Sequence, residues 1–90
     1  MERAIVTLVG IDRAGIIAAV CTYFADNQVN ILDIKQTTVQ EYINMMMIVD
    51  LDKCKKPFPT IASELNDVGT IVKCTITIQK EEIFNMMHRI

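Results

Sequence analysis

The chain has 90 residues, 51% hydrophobic and 22% charged, with a formal net charge of −2. That is a globular composition for one domain spanning 1–90, in which only about 60–65% of the unfolded surface can be buried. It argues against nucleic acid as a partner, because the only basic cluster is Lys53, Lys55 and Lys56, and stacking aromatics are scarce, with three Phe, two Tyr and no Trp.

Residues 3–9 are β-branched and apolar and read as a first strand. Gly10 to Gly15 form a loop punctuated by glycine. From Ile16, apolar residues at 16, 17, 20 and 24 predict a helix from about Arg13 to Asp26, with Asn27 in the left-handed conformation that ends a helix. Residues 30–39 and 42–51 read as two strands. In the second of these, Ile43, Met45, Met47, Val49 and Leu51 recur at period two. The link Gln40-Glu41 is short enough for a hairpin, although it lacks the Gly or Asn such turns prefer. Pro57-Phe58-Pro59 opens a second helix, with Phe58, Ile61, Ala62, Leu65 and Val68 at helical spacing and Gly69 where a terminator belongs. Residues 71–79 alternate as a strand with one wet face. Ile83, Phe84, Met87 and Ile90 suit a short third helix from about Glu81 to Arg89.

The order is βαββαβ plus a C-terminal helix. This is the α+β, ferredoxin-like split βαβ arrangement: a four-stranded antiparallel sheet with two helices on one face. The strand at 30–39 falls on a sheet edge, is long, lacks Pro, and carries Ile31, Ile34 and Val39. An unprotected edge of that kind invites another chain, so a homo-oligomer, at least a dimer, is expected. Met46 and Ile48 point away from Met45 and Met47, onto a second apolar face or into a subunit interface.

The chain runs from Met1-Glu2-Arg3 straight into a strand, with no signal-peptide core and no apolar run near 18 residues. A cytoplasmic protein with no membrane association is the expectation. Cys21, Cys54 and Cys74 are odd in number and have no CxxC spacing, so they read as reduced thiols, not a disulfide framework or zinc site. Cys54 among lysines is either an ordinary loop thiol or one with a lowered pKa. His88 is the single histidine, without a partner at ligand or triad spacing, and Glu81-Glu82 suits a helix start. No metal, cofactor or catalytic set is expected.

The segment with most chemistry is Gly10-Ile11-Asp12-Arg13-Ala14-Gly15-Ile16, between a strand and a helix. A helix N-terminus offers free N–H groups and a positive dipole end, a natural seat for a carboxylate or phosphate. It is not a dinucleotide fingerprint, because Asp12 stands where the second Gly is required and would repel pyrophosphate. Nor is there a P-loop. Taken alone, Asp12 caps the helix and Arg13 is a solvated charge.

A second segment, Val29-Asn30-Ile31-Leu32-Asp33-Ile34-Lys35-Gln36, changes that weighting. Together the two resemble the ACT domain, whose pattern is G-x-D-R-x-G-I-I-A followed by V-N-I-x-D-I-x-Q. The resemblance covers nearly the whole chain. It is closest to stand-alone ACT-domain proteins and to the ACT domains of the glycine-cleavage repressor and formyltetrahydrofolate deformylase. It implies an amino acid bound at a subunit interface. Asp12 and Asn30 would contact the ligand's amino and carboxylate groups, and the backbone of Arg13, Ala14, Gly15 and Ile16 would line the site. Ile31 and Asp33 would form its floor or the subunit contact. Ala14 stands where the family usually has Pro, which leaves the loop less rigid before binding. Gln28 stands where it usually has Gly; unless Asn27 takes over the left-handed position, the corner is strained by about 1 kcal/mol.

The reading is therefore a small-molecule-binding regulatory module that acts as a homo-oligomer and is not an enzyme. The alternatives are a protein–protein interaction module with a vestigial ligand site and, further off, an acylphosphatase-like enzyme. The last lacks the G-R-V-Q-G loop.

Overall fold

The computed structural model describes residues 2–87. The elements are β1 (Arg3–Ile11), α1 (Ile16–Asp26), β2 (Asn30–Val39), β3 (Tyr42–Asp50), α2 (Phe58–Val72), β4 (Cys74–Lys80) and α3 (Glu81–Met87). His88, the histidine weighed above, Arg89, where the third helix was expected to end, and Ile90 lie outside the described residues.

The strands form one antiparallel sheet in the order β2-β3-β1-β4, with β2 on the edge as expected. Period-two patterning decides which face each side chain takes. Ala4, Val6 and Leu8 of β1 pair with Val49, Met47 and Met45 of β3, and all six are buried. Ile76 and Ile78 of β4 join them. Onto this face α1 lays Ile16, Val20 and Phe24, and α2 lays Ile61 and Leu65. Each helix thus buries one stripe at 3.6-residue spacing, and removing water from that apolar surface drives the fold.

The opposite face is partly open. Val9, Ile11, Val39, Tyr42 and Met46 are all exposed there. Ile5 points the same way but is buried, and α3 lies against β1 and β4. Within the described residues, no helix is long and apolar enough to cross a membrane.

Several expected boundaries move. Gly10 and Ile11 continue β1, because β3 extends far enough to pair them with Ile43 and Tyr42. The first helix begins at Ile16, not Arg13, and Gly15 is its N-cap at φ 91°. Asp12 does not cap it, since no side chain hydrogen-bonds the cap. Asn27 is not left-handed (φ −107°). Its Nδ2 instead donates to the Tyr23 carbonyl at 2.8 Å, and Gln28 takes the positive φ, 57°.

Gly69 does not terminate α2, which runs three residues further to Val72 and ends on left-handed Lys73 (φ 61°). A Cβ on Gly69 would lie 2.6 Å from the carbonyl oxygen of Cys74, so the glycine lets α2 sit tightly on β4. The last strand accordingly starts at Cys74, not residue 71. The β2–β3 link is a two-residue turn, with Gln40 at φ 57° where primed turns require a positive value.

Candidate functional site

At the end of β1 the chain leaves the sheet through Asp12, Arg13, Ala14 and Gly15, all exposed, before buried Ile16 anchors α1 in the core. The Asp12 N–H donates to the Glu41 carbonyl at 2.7 Å, tying the loop to the β2–β3 turn. The first helical bond runs from the Ala19 N–H to the Gly15 carbonyl. The earlier N–H groups of α1 meet no capping side chain, and the first turn holds no acidic residue. These uncapped donors sit at the positive end of the helix dipole, beside an exposed carboxylate. Around Gly15 there is open space: a Cβ there would meet no atom within 4 Å.

Gly10 also has a packing role that its place in the motif does not suggest. It pairs with Cys74, and a Cβ on it would lie 2.5 Å from the Cys74 Sγ. It makes room for the thiol. Cys74 belongs to the surroundings of the loop: burial pushes its thiol pKa up, Arg13 opposes that, and Asp12 adds to it. The sequence reading missed this neighbour, because only the β1–β4 register brings residue 74 beneath residue 10.

Asn30, Ile31 and Asp33 are not beside the loop within one chain. Asn30 pairs with Asp50 and Asp33 with Ile48, whereas the loop follows the pairing of Ile11 with Tyr42. From Tyr42 to Asp50 is eight residues of strand, roughly 27 Å at about 3.4 Å per residue. The structure thus groups Gly10, Asp12, Arg13, Ala14, Gly15 and Ile16 at one end of the sheet, and Asn30 with its neighbours toward the other. Ile31 packs against the core, Asp33 Oδ1 accepts the Ile34 N–H at 2.8 Å, and a register shift separates the two residues.

Beside Asn30 lies an open cleft of about 570 Å³, lined by Ala25, Gln28, Val29, Asn30, Asp50 and Lys53. Among the described residues, no group of three His, Cys, Asp or Glu side chains could hold a metal ion.

Comparison with known proteins agrees with this architecture. The model of the ACT domain family matches residues 4–70. A UPF0237 protein of Bifidobacterium longum is 50% identical over 90 residues, the full length of both chains. An ACT domain protein from Streptococcus pneumoniae of known structure is 38% identical. It superposes with a TM-score of 0.82 over 92% of this chain and 93% of that one. A formyltetrahydrofolate deformylase from Pseudomonas syringae pv. tomato shares the fold at 15% identity and a TM-score of 0.82, over 89% of this chain and 28% of its own.

Proposed function

The chain belongs to the ACT domain family, and from that premise we propose that it is a regulatory module that binds an amino acid between two copies of itself. The observation that carries the reading is the separation just described. One chain presents helix N–H donors and the Asp12 carboxylate at one end of the sheet, and Asn30 at the other. A second copy is needed to complete a site.

The edge strand supplies a way to bring the halves together. Most of β2 is exposed on both faces, and its outer edge has no neighbour in the sheet. Two β2 edges paired antiparallel about a two-fold axis would run in opposite directions. The start of one strand then lies beside the end of the other. Asn30 of the partner subunit would come to the Val39–Tyr42 end, where the Glu41 carbonyl holds Asp12. The zwitterion's carboxylate would take the uncapped N–H groups of α1, and its ammonium would take Asp12. The Asn30 amide can serve either group. Two equivalent sites result.

A ligand held by both copies stabilises the assembled form over the separate one, by RT ln(1 + [L]/Kd) per site. In this reading the change of assembly is the regulatory output. The role assigned is binding, not catalysis, in the cytoplasm.

The test is a thermal-shift screen against the twenty amino acids, with Asp12→Ala and Asn30→Ala beside the unaltered protein. At a hundred times its Kd, a ligand adds about 2.7 kcal/mol. At about 4–8 °C per kcal/mol, the shift should exceed ~10 °C. Both variants should lose it. Mixed dimers of the two carry one intact and one doubly altered site, so about a quarter of the wild-type sites should return on random mixing. A silent mixture would refute the shared site. No response to any amino acid would favour the interaction module with a vestigial site.

A further inference from the structure

We infer that the cleft beside Asn30 of the partner subunit receives the ligand's side chain and selects one ending in a primary amide. The inference rests on the amino-acid site proposed above and goes further, by naming the class of amino acid. Three residues of the cleft carry it.

The first is Gln28. Its φ of 57° is a conformation in which glycine is the least costly residue, yet the position holds a long amide side chain that lines the cleft. Its backbone N–H donates to the Ala25 carbonyl at 3.2 Å, which holds the corner in place. Side chains kept in such conformations against a local cost cluster at sites that use them.

The second is Asp50. Its Oδ1 accepts the Asp52 N–H at 2.9 Å, which orients the carboxylate. Its other oxygen has no protein partner among the described residues.

The third is Lys53, which lines the same cleft and makes no ion pair among the described residues.

The cleft therefore presents a carboxylate acceptor, an ammonium donor and the amides of Gln28 and Asn30. A side chain ending in a carboxylate gains from Lys53 and is repelled by Asp50. One ending in an ammonium meets the reverse. An apolar end shields these groups from water and gives nothing back. A primary amide both accepts and donates, so it can pair with Lys53 and Asp50 together.

The experiment is calorimetric titration of the intact protein with L-glutamine, L-asparagine, L-glutamate, L-lysine and L-leucine. The panel comprises the unaltered chain and the Gln28→Gly, Asp50→Asn, Lys53→Gln and Asp12→Ala variants. Asn at position 50 keeps an oxygen for the Asp52 N–H. Glutamine or asparagine should bind most tightly. Asp50→Asn should narrow the preference for glutamine over glutamate by about tenfold, and Lys53→Gln that for glutamine over lysine by a similar factor. Gln28→Gly should raise the melting temperature by several degrees while weakening glutamine binding, opposite movements that a misfolded variant cannot produce. Two results overturn the inference while the proposed function stands, provided Asp12→Ala still abolishes binding. One is a preference for charged or apolar amino acids; the other is ratios unmoved by Asp50→Asn and Lys53→Gln. Binding of none of the five, with no shift in the twenty-member screen, removes the proposed function and the inference together.

Discussion

Replacing Gly69 by Ala sets two effects of opposite sign against each other, and the structure decides between them. In a helix interior, Gly→Ala normally gains about 0.8–1.0 kcal/mol, because Ala loses less backbone entropy on folding. Gly69 lies inside α2 with a buried position against β4. A Cβ there would fall 2.6 Å from the carbonyl oxygen of Cys74 and 3.3 Å from the Cγ1 of Ile76. The carbonyl is backbone in a paired strand and cannot rotate away. An unstrained C···O contact needs about 3.3 Å, so helix and strand must part by roughly 0.7 Å. Overpacking of this kind costs about 1–3 kcal/mol. The net is a loss of about 1 kcal/mol, a fall in Tm of about 4–8 °C for a domain of this size. Circular-dichroism melts of Gly69→Ala and of Ser63→Ala, an exposed position on the same helix, make the comparison. Ser63→Ala should raise Tm slightly. If Gly69→Ala raises it too, the close contact between α2 and β4 is refuted, and Gly69 is only a weak helix former.

Gly15→Ala should destabilise the fold by about 1 kcal/mol with no clash involved, because the φ of 91° disfavours a side chain while the space around it is empty; denaturant titration reads the loss. Ile34→Lys, at an exposed position on the β2 edge, should leave the far-UV circular-dichroism spectrum unchanged and, on the pairing of β2 edges proposed above, shift sedimentation toward the monomer. An unchanged dimer would move the subunit contact elsewhere. The Glu64 carboxyl is held below its ordinary range, first by the Lys56 ammonium at 2.8 Å and then by the Tyr23 hydroxyl at 2.9 Å. A carboxyl with a depressed folded-state pKa stabilises the protein above its unfolded value, near 4.3, and loses that contribution as pH falls through the folded value. Stability measured from pH 6 downward should therefore fall less steeply in Glu64→Gln than in the unaltered chain.

Much of this architecture follows from local pattern. The alternation of Ile43, Met45, Met47 and Val49 determined a strand and its buried face. The spacing of Ile16, Val20 and Phe24 determined the inward stripe of α1. Element order was enough for the sheet topology, with β2 outermost, and the two motifs for the family. These features depend on residues a few positions apart, so one chain segment carries all the information.

What the tertiary structure alone decided depends on residues brought together from far apart. Gly69 reads locally as a stop signal, and only the approach of β4 shows it to be a contact. Gly10 reads as part of a ligand loop, and only the register beneath it reveals the Cys74 thiol. Asp12 reads as a cap, yet the pull of the Glu41 carbonyl and the left-handed Gly15 leave the helix N–H groups uncapped. Asp12 and Asn30 read as one site, and the β2–β3 ladder carries them to opposite ends of the sheet. Strand pairing and helix docking are contacts across the chain, whose geometry no local propensity contains, and that is why these four residues could be read only in the fold.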